Sequence, residues 1–272
     1  TAANTSRPYG TANPVFVINY AGFVNGENSS VLDVLPTATT TAIAASPIGN
    51  YPINVAGGSD GNYSFTYVSG VLEVGKTAPI VTWNNPTAIV YGTALSATQL
   101  NATANVPGTF VYTPAAGAIL NAGTNQILTV DFTPTDQTNY SSVNGTTVTI
   151  TVNKATPIVT WSNPGAITYG TPLSATQLNA TANVPGTFTY TPTTGTILNA
   201  GNQTLSVNFA PANTANYNNV NNTTVQVTVN KATPVITWPA PAAITFGTPL
   251  GAAQLNASAT TARSFSDSPT SR

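Results

Sequence analysis

Two residue types that could do chemistry recur at nearly constant spacing: Trp83, Trp161 and Trp238, and Lys76, Lys154 and Lys231. An exposed indole stacks on the apolar face of a sugar ring, so the tryptophans are candidate ligand-stacking residues for a glycan. The competing role for one aromatic per repeat is packing in the core or at a junction. Asp131 and Asp136 could contribute to a calcium site, but calcium takes about 6 to 8 oxygens, several of them carboxylate. One repeat later the same positions hold Asn208 and Asn213. The lysines end strand-like segments, where an isopeptide bond to Asn would need a buried carboxylate beside it. Residues 155–230 contain no Asp or Glu at all, so a solvated or edge-protecting charge is the simpler role.

The composition narrows the field further. The chain has 272 residues with 6 Lys+Arg and 7 Asp+Glu, and no His, Cys or Met. Without His or Cys there is no Ser-His-Asp triad, no thiolate nucleophile, no nitrogen–sulfur zinc site and no disulfide. Accordingly no catalytic, cofactor-binding or metal-binding residue is assigned, and no enzyme is expected. A net charge of -1 with scattered basic residues lacks the positive surface that nucleic acid requires. No apolar run reaches the roughly 18 residues of a membrane helix, so no membrane insertion is expected within this segment. Disorder is not the alternative: 41% of residues are hydrophobic, and the Thr, Val, Ile and Tyr content favours strands.

Internal repetition organises the chain. Ser96 to Phe110 recurs letter for letter as Ser174 to Phe188. Each Trp is followed, eight residues on, by an aromatic-Gly pair: Tyr91-Gly92, Tyr169-Gly170 and Phe246-Gly247. The second step is one residue shorter than the first, the loss falling between Gly201 and Leu205. Four modules follow: residues 1–76, a relative of the others; 77–153; 154–230; and 231–272, a copy that stops after Ala259 with an unmatched tail. The chain starts without Met or a leader pattern and stops within a copy, so a segment of something longer is expected.

Every module reads as strands alone. Leu128, Val130 and Phe132 alternate with Ile127, Thr129 and Asp131, and Val148, Ile150 and Val152 with Thr149 and Thr151. That period of two, broken by Pro and Gly about every 8 to 12 residues, predicts antiparallel sandwiches solvated on one side. The expected fold class is all-β, tandem Ig-like β-sandwich modules arranged as an elongated rod. Tyr63, Tyr140 and Tyr217 each follow a polar turn and precede a closing strand, the place of a structural tyrosine corner whose hydroxyl bonds back to the turn. The links are short and contain Pro, as in Lys154-Ala155-Thr156-Pro157, which favours stiff connections.

The first module resembles the MBG domain of the YGX kind, through Tyr9-Gly10, Asn13-Pro14, Gly22-Phe23-Val24-Asn25-Gly26, Ser46 to Tyr51 and Asn62-Tyr63. The later modules are similar to tandem bacterial Ig-like repeats, and together the resemblance covers about residues 1 to 259. A sandwich and a β-grasp-like variant both stay open for module one. The resemblance implies an extracellular place at the bacterial cell surface and a stalk or spacer role in an adhesin-like protein. Two other functions are weighed against it: a glycan- or surface-binding adhesion module using the tryptophans, and a self-assembling filament subunit. In the last, the opening strands of the fourth module would complete a neighbour by strand addition. The partner is unknown; surface glycans and self-association are the two candidates.

Overall fold

Strands with one apolar face must pair their edges and cover that face, and three four-stranded sheets do so here. The computed structural model describes residues 1–260 and 264–266; of the expected unmatched tail, 260–272, residues 261–263 and 267–272 lie outside them. Two compact units divide the chain, Thr1–Ala155 and Thr156–Arg272. Among the described residues the structure is all-β apart from one short 3-10 turn, Ser29–Val31.

Module one contributes β1 (Thr5–Pro8), β2 (Thr37–Thr39), β3 (Gly49–Ala56) and β4 (Gly70–Gly75), in the sheet order β1-β4-β3-β2. β1 runs parallel to β4 and the other pairs are antiparallel. Leu72 and Val74 of β4 face inward onto Ile53 and Val55 of β3. Arg7 is buried in β1, an unusual place for a cation. Its guanidinium donates to Asn13 Oδ1 at 2.7 Å, to the Ile43 carbonyl at 2.5 Å and to the Pro8 carbonyl at 3.2 Å. Asn13 Nδ2 in turn donates to the Ala42 carbonyl at 2.6 Å. The planar fork thus ties the first strand to the 42–44 loop through neutral acceptors.

Module two contains β5 (Val81–Thr82), β6 (Ile89–Val90), β7 (Thr103–Ala104), β8 (Gly108–Thr113), β9 (Gly123–Pro134) and β10 (Val143–Asn153). One sheet has the order β6-β10-β9-β8, with β6 parallel to β10; β5 and β7 form the facing pair. The opening segment therefore crosses from one sheet to the other between Thr82 and Ile89. Leu128, Val130 and Phe132 are buried while Ile127 is 65% exposed, the alternation read from the sequence. Gly108 lies so close to the Phe132 ring that any Cβ there would collide with it, and Gly186 meets Phe209 in the same way.

Module three repeats this plan with β11 (Val159–Thr160), β12 (Ile167–Thr168), β13 (Thr181–Ala182), β14 (Gly186–Thr191), β15 (Gly201–Pro211) and β16 (Val220–Asn230). The one-residue difference between the copies is a β-bulge. In β9, Thr124 and Asn125 stand opposite Thr151 alone, and Asn125 takes φ 54°. In β15 only Asn202 separates Gly201 from Gln203, and the register there is continuous. Of the fourth module, β17 (Ile236–Thr237) and β18 (Ser258–Ala259) form one short antiparallel pair.

Inward and outward positions on β9 should respond differently to truncation. Leu128→Ala should destabilise module two by about 2–5 kcal/mol, and Ile127→Ala by less than about 0.5 kcal/mol. Chemical denaturation of the full chain, followed by the fluorescence of Trp83 and Trp161, measures both. Equal effects would contradict the assigned faces.

Candidate functional site

The backbone groups of the last polar turn in each module set the geometry around the module ends. Asp136 Oδ1 accepts from the amides of Thr138 and Asn139, both at 3.1 Å, and its Oδ2 accepts from Asn139 Nδ2 at 2.8 Å. Asp60 does the same for Asn62 and Tyr63, at 2.7 and 3.1 Å. Asn213 accepts from the Asn216 amide at 3.2 Å. These are Asx turns, in which the side-chain oxygen replaces a backbone partner. Asp131 serves the backbone in a similar way, accepting from Gly145 N at 2.7 Å across the β9–β10 bulge, as Asn208 accepts from Asn222 N at 2.8 Å. Asn therefore replaces Asp at both places without loss of the bond. Both carboxylates considered for calcium are engaged with backbone amides.

The turn at Asp136 builds a junction between modules one and two. Thr77 forms a parallel bridge with Tyr140: its amide donates to the Asn139 carbonyl at 3.0 Å, and its carbonyl accepts from Ser141 N at 3.1 Å. Thr77 Oγ1 also donates to the Tyr9 carbonyl at 2.6 Å, so one residue is bonded to both modules. The Tyr9 and Tyr140 rings meet edge to face at 5.4 Å and 85°. Asn139 Oδ1 accepts from Ile48 N at 3.1 Å, and Lys76 Nζ donates to the Gln137 carbonyl at 2.7 Å. The hydrogen bonds from Asn139, helped by those from Thr138 and the nearby Lys76 charge, hold the Asp136 carboxyl below the usual carboxylate range.

The tyrosines expected as corners take several places. Tyr140 lies on the junction with its amide bonded to the Asp136 carbonyl at 3.1 Å, and Tyr217 N bonds to the Asn213 carbonyl at 3.1 Å. The Tyr63 hydroxyl donates to Glu27 and accepts from Val24 N at 3.3 Å, leaving its own turn to Asp60. The Glu27 bond raises the Tyr63 pKa above the ordinary phenol value. The Tyr112 and Tyr190 hydroxyls also fasten backbone, accepting from Ala102 N at 3.0 Å and Ala180 N at 2.9 Å. Their signal in the sequence is the repeated Gly-Thr-Phe-x-Tyr of β8 and β14.

Trp83 and Trp161 are half-buried against the module cores. Each indole Nε1 donates to a backbone carbonyl, Gln99 at 3.1 Å and Gln177 at 3.0 Å. Each ring lies edge-on to a tyrosine, Tyr112 at 5.3 Å and Tyr190 at 5.4 Å. Trp238 makes the same bond, to Gln254 O at 3.1 Å, but is 54% exposed. Among the described residues no cluster of three or more acidic side chains gathers to hold a metal, and no helix is long and apolar enough to cross a membrane.

These features define a chain of all-β modules, at least two of them fastened through a shared bridging residue. Residues 1–73 match the family model described as "MBG domain (YGX type)". No curated protein matches. Among solved structures, the chain is similar to Drosophila N-cadherin EC1-3 at 10% identity and a TM-score of 0.21, covering 67% of this chain and 76% of that one. Drosophila N-cadherin EC1-4 gives 9% identity and a TM-score of 0.20, with 67% and 58% covered. Likenesses this distant carry no argument, and the fold assignment rests on the sheets themselves.

The depressed Asp136 pKa makes its turn pH-sensitive in a definite direction. A carboxyl whose folded pKa is lowered stabilises the fold above its unfolded value near 4 and loses that contribution as pH falls through the folded value. On acidification from about pH 7 to about pH 2, the Thr138 and Asn139 amide resonances should titrate only below about pH 4. The Asn216 amide, bonded to uncharged Asn213, should not. NMR on the full chain reads both, and matching titrations would overturn the assignment.

Proposed function

We propose that the chain is a non-catalytic structural spacer, part of a secreted or surface-anchored bacterial adhesin-like protein that holds a functional end away from the cell. The observation that carries this is the Thr77 junction, in which one bridging residue is bonded to groups of both modules. A spacer needs its modules fastened end to end, and a bridge through backbone hydrogen bonds resists bending better than a free linker. The MBG match to residues 1–73 and the absence of His and Cys support the same reading. So does the repeated Pro-containing link, which limits the backbone before each module.

The composition fits an extracellular spacer as well. The third module carries no Asp, Glu or Arg, and its one charged side chain is Lys154 at its first position. Asn side chains fill its Asx positions. Its stability should therefore vary little with pH or salt, a useful property in an uncontrolled exterior.

Small-angle scattering of the full chain tests the spacer reading. The expected particle is a rod about 25 Å wide and on the order of 100–140 Å long, from strands rising roughly 3.3 Å per residue. Tyr140→Ala, which removes the ring contact to Tyr9, should broaden the distance distribution without unfolding either module. A compact globule, or a wild-type chain already as flexible as the variant, would contradict it.

A further inference from the structure

Module one holds a groove of about 370 Å³ that the spacer role does not use, between the extended run at 63–67 and the facing segment at 18–23. Tyr63, Phe65 and Tyr67 line the groove together with Ser64 and Thr66, which stand between them. The Phe65 and Tyr67 rings are parallel within 4°, with centroids 6.1 Å apart. Phe23 closes on Tyr63 edge to face at 5.2 Å. None of these rings belongs to the buried core, and Tyr67 is 42% exposed. At one end the Tyr63 hydroxyl is held by the Glu27 carboxylate, and Asn19 adds an amide to the wall. The volume lies within the roughly 300–1,000 Å³ of ordinary small-molecule sites.

We infer that this groove is a carbohydrate-binding site, taking a short saccharide against the Phe65 and Tyr67 rings. A pyranose has an apolar C–H face ringed by hydroxyls, and the groove brings aromatic rings together with hydroxyl and amide groups. Asn19, Ser64 and Thr66 on the wall both donate to and accept from sugar hydroxyls. No Lys or Arg side chain lines the groove, and the Thr1 amino group on its wall donates to the Asn19 carbonyl at 2.9 Å. Trp83 and Trp161 are less available to a ligand, since their Nε1 groups turn inward to backbone carbonyls. The site rests on these contacts in module one and does not depend on the spacer reading.

Titration of the full chain with lactose, cellobiose and N,N′-diacetylchitobiose, read by amide NMR, tests the inference. At least one of the three should shift the amides of residues 18–23 and 63–67 saturably. Tyr67→Ala should weaken that binding about tenfold or more, with the Ile53 and Leu72 methyl resonances unmoved as proof of fold. Glu27→Gln, an exposed and near-isosteric change, should weaken it as well, while Trp161→Ala should leave it intact. Absence of a saturable shift with all three sugars would overturn the inference, as would shifts that survive in both groove variants. Shifts at 64–66 that follow protein concentration alone, the mark of strand pairing between copies, would overturn it too.

Discussion

A tight turn leaves amide groups that no strand can pair, and in this chain an Asx side chain takes them up at the end of each of the first three modules. Asp60, Asp136 and Asn213 accept those amides, and Asp131 and Asn208 do the same at the bulge between the two long strands. With the turn closed in this way, the residues just after it are presented in a fixed direction. In module two those residues are Asn139, Tyr140 and Ser141, which receive Ile48, Tyr9 and Thr77. The junction between the first two modules thus depends on a local bond that a neutral amide can also make. That equivalence explains how module three dispenses with acidic side chains and keeps the same architecture.

The sandwich core imposes the second constraint, and it was legible in advance because burial follows period two. Leu128, Val130 and Phe132 turn inward as their alternation requires, and module three repeats the pattern with Leu205, Val207 and Phe209. The missing residue of module three was also visible as a gap. Its meaning, a bulge at Thr124-Asn125 that β15 lacks, emerges only from strand register, which no single strand displays.

Side-chain roles were harder to foresee because they depend on partners distant in sequence. Tyr63 follows its turn as a corner tyrosine would, yet its hydroxyl reaches Glu27 and Val24, 36 and 39 residues earlier. Nothing in the Asn-Tyr pair separates it from Tyr140, whose ring lies on the junction. The tryptophans show the same limit: their spacing announces a role in each repeat, while the turning of Nε1 to the backbone appears only in three dimensions. The aromatic alternation of Tyr63, Phe65 and Tyr67 stands in the sequence too, but the facing segment at 18–23 that makes it a groove does not.

The proposed spacer role requires modules one and two to be joined as a single rigid body through Thr77. Residual dipolar couplings of the full chain, fitted separately for residues 1–76 and 77–153, test it directly. A rigid junction gives both modules the same alignment tensor in magnitude and orientation, and Thr77→Gly, which removes the Oγ1 bond to Tyr9, makes the two diverge. Wild-type tensors that already differ in magnitude would mean independent tumbling and would contradict the account.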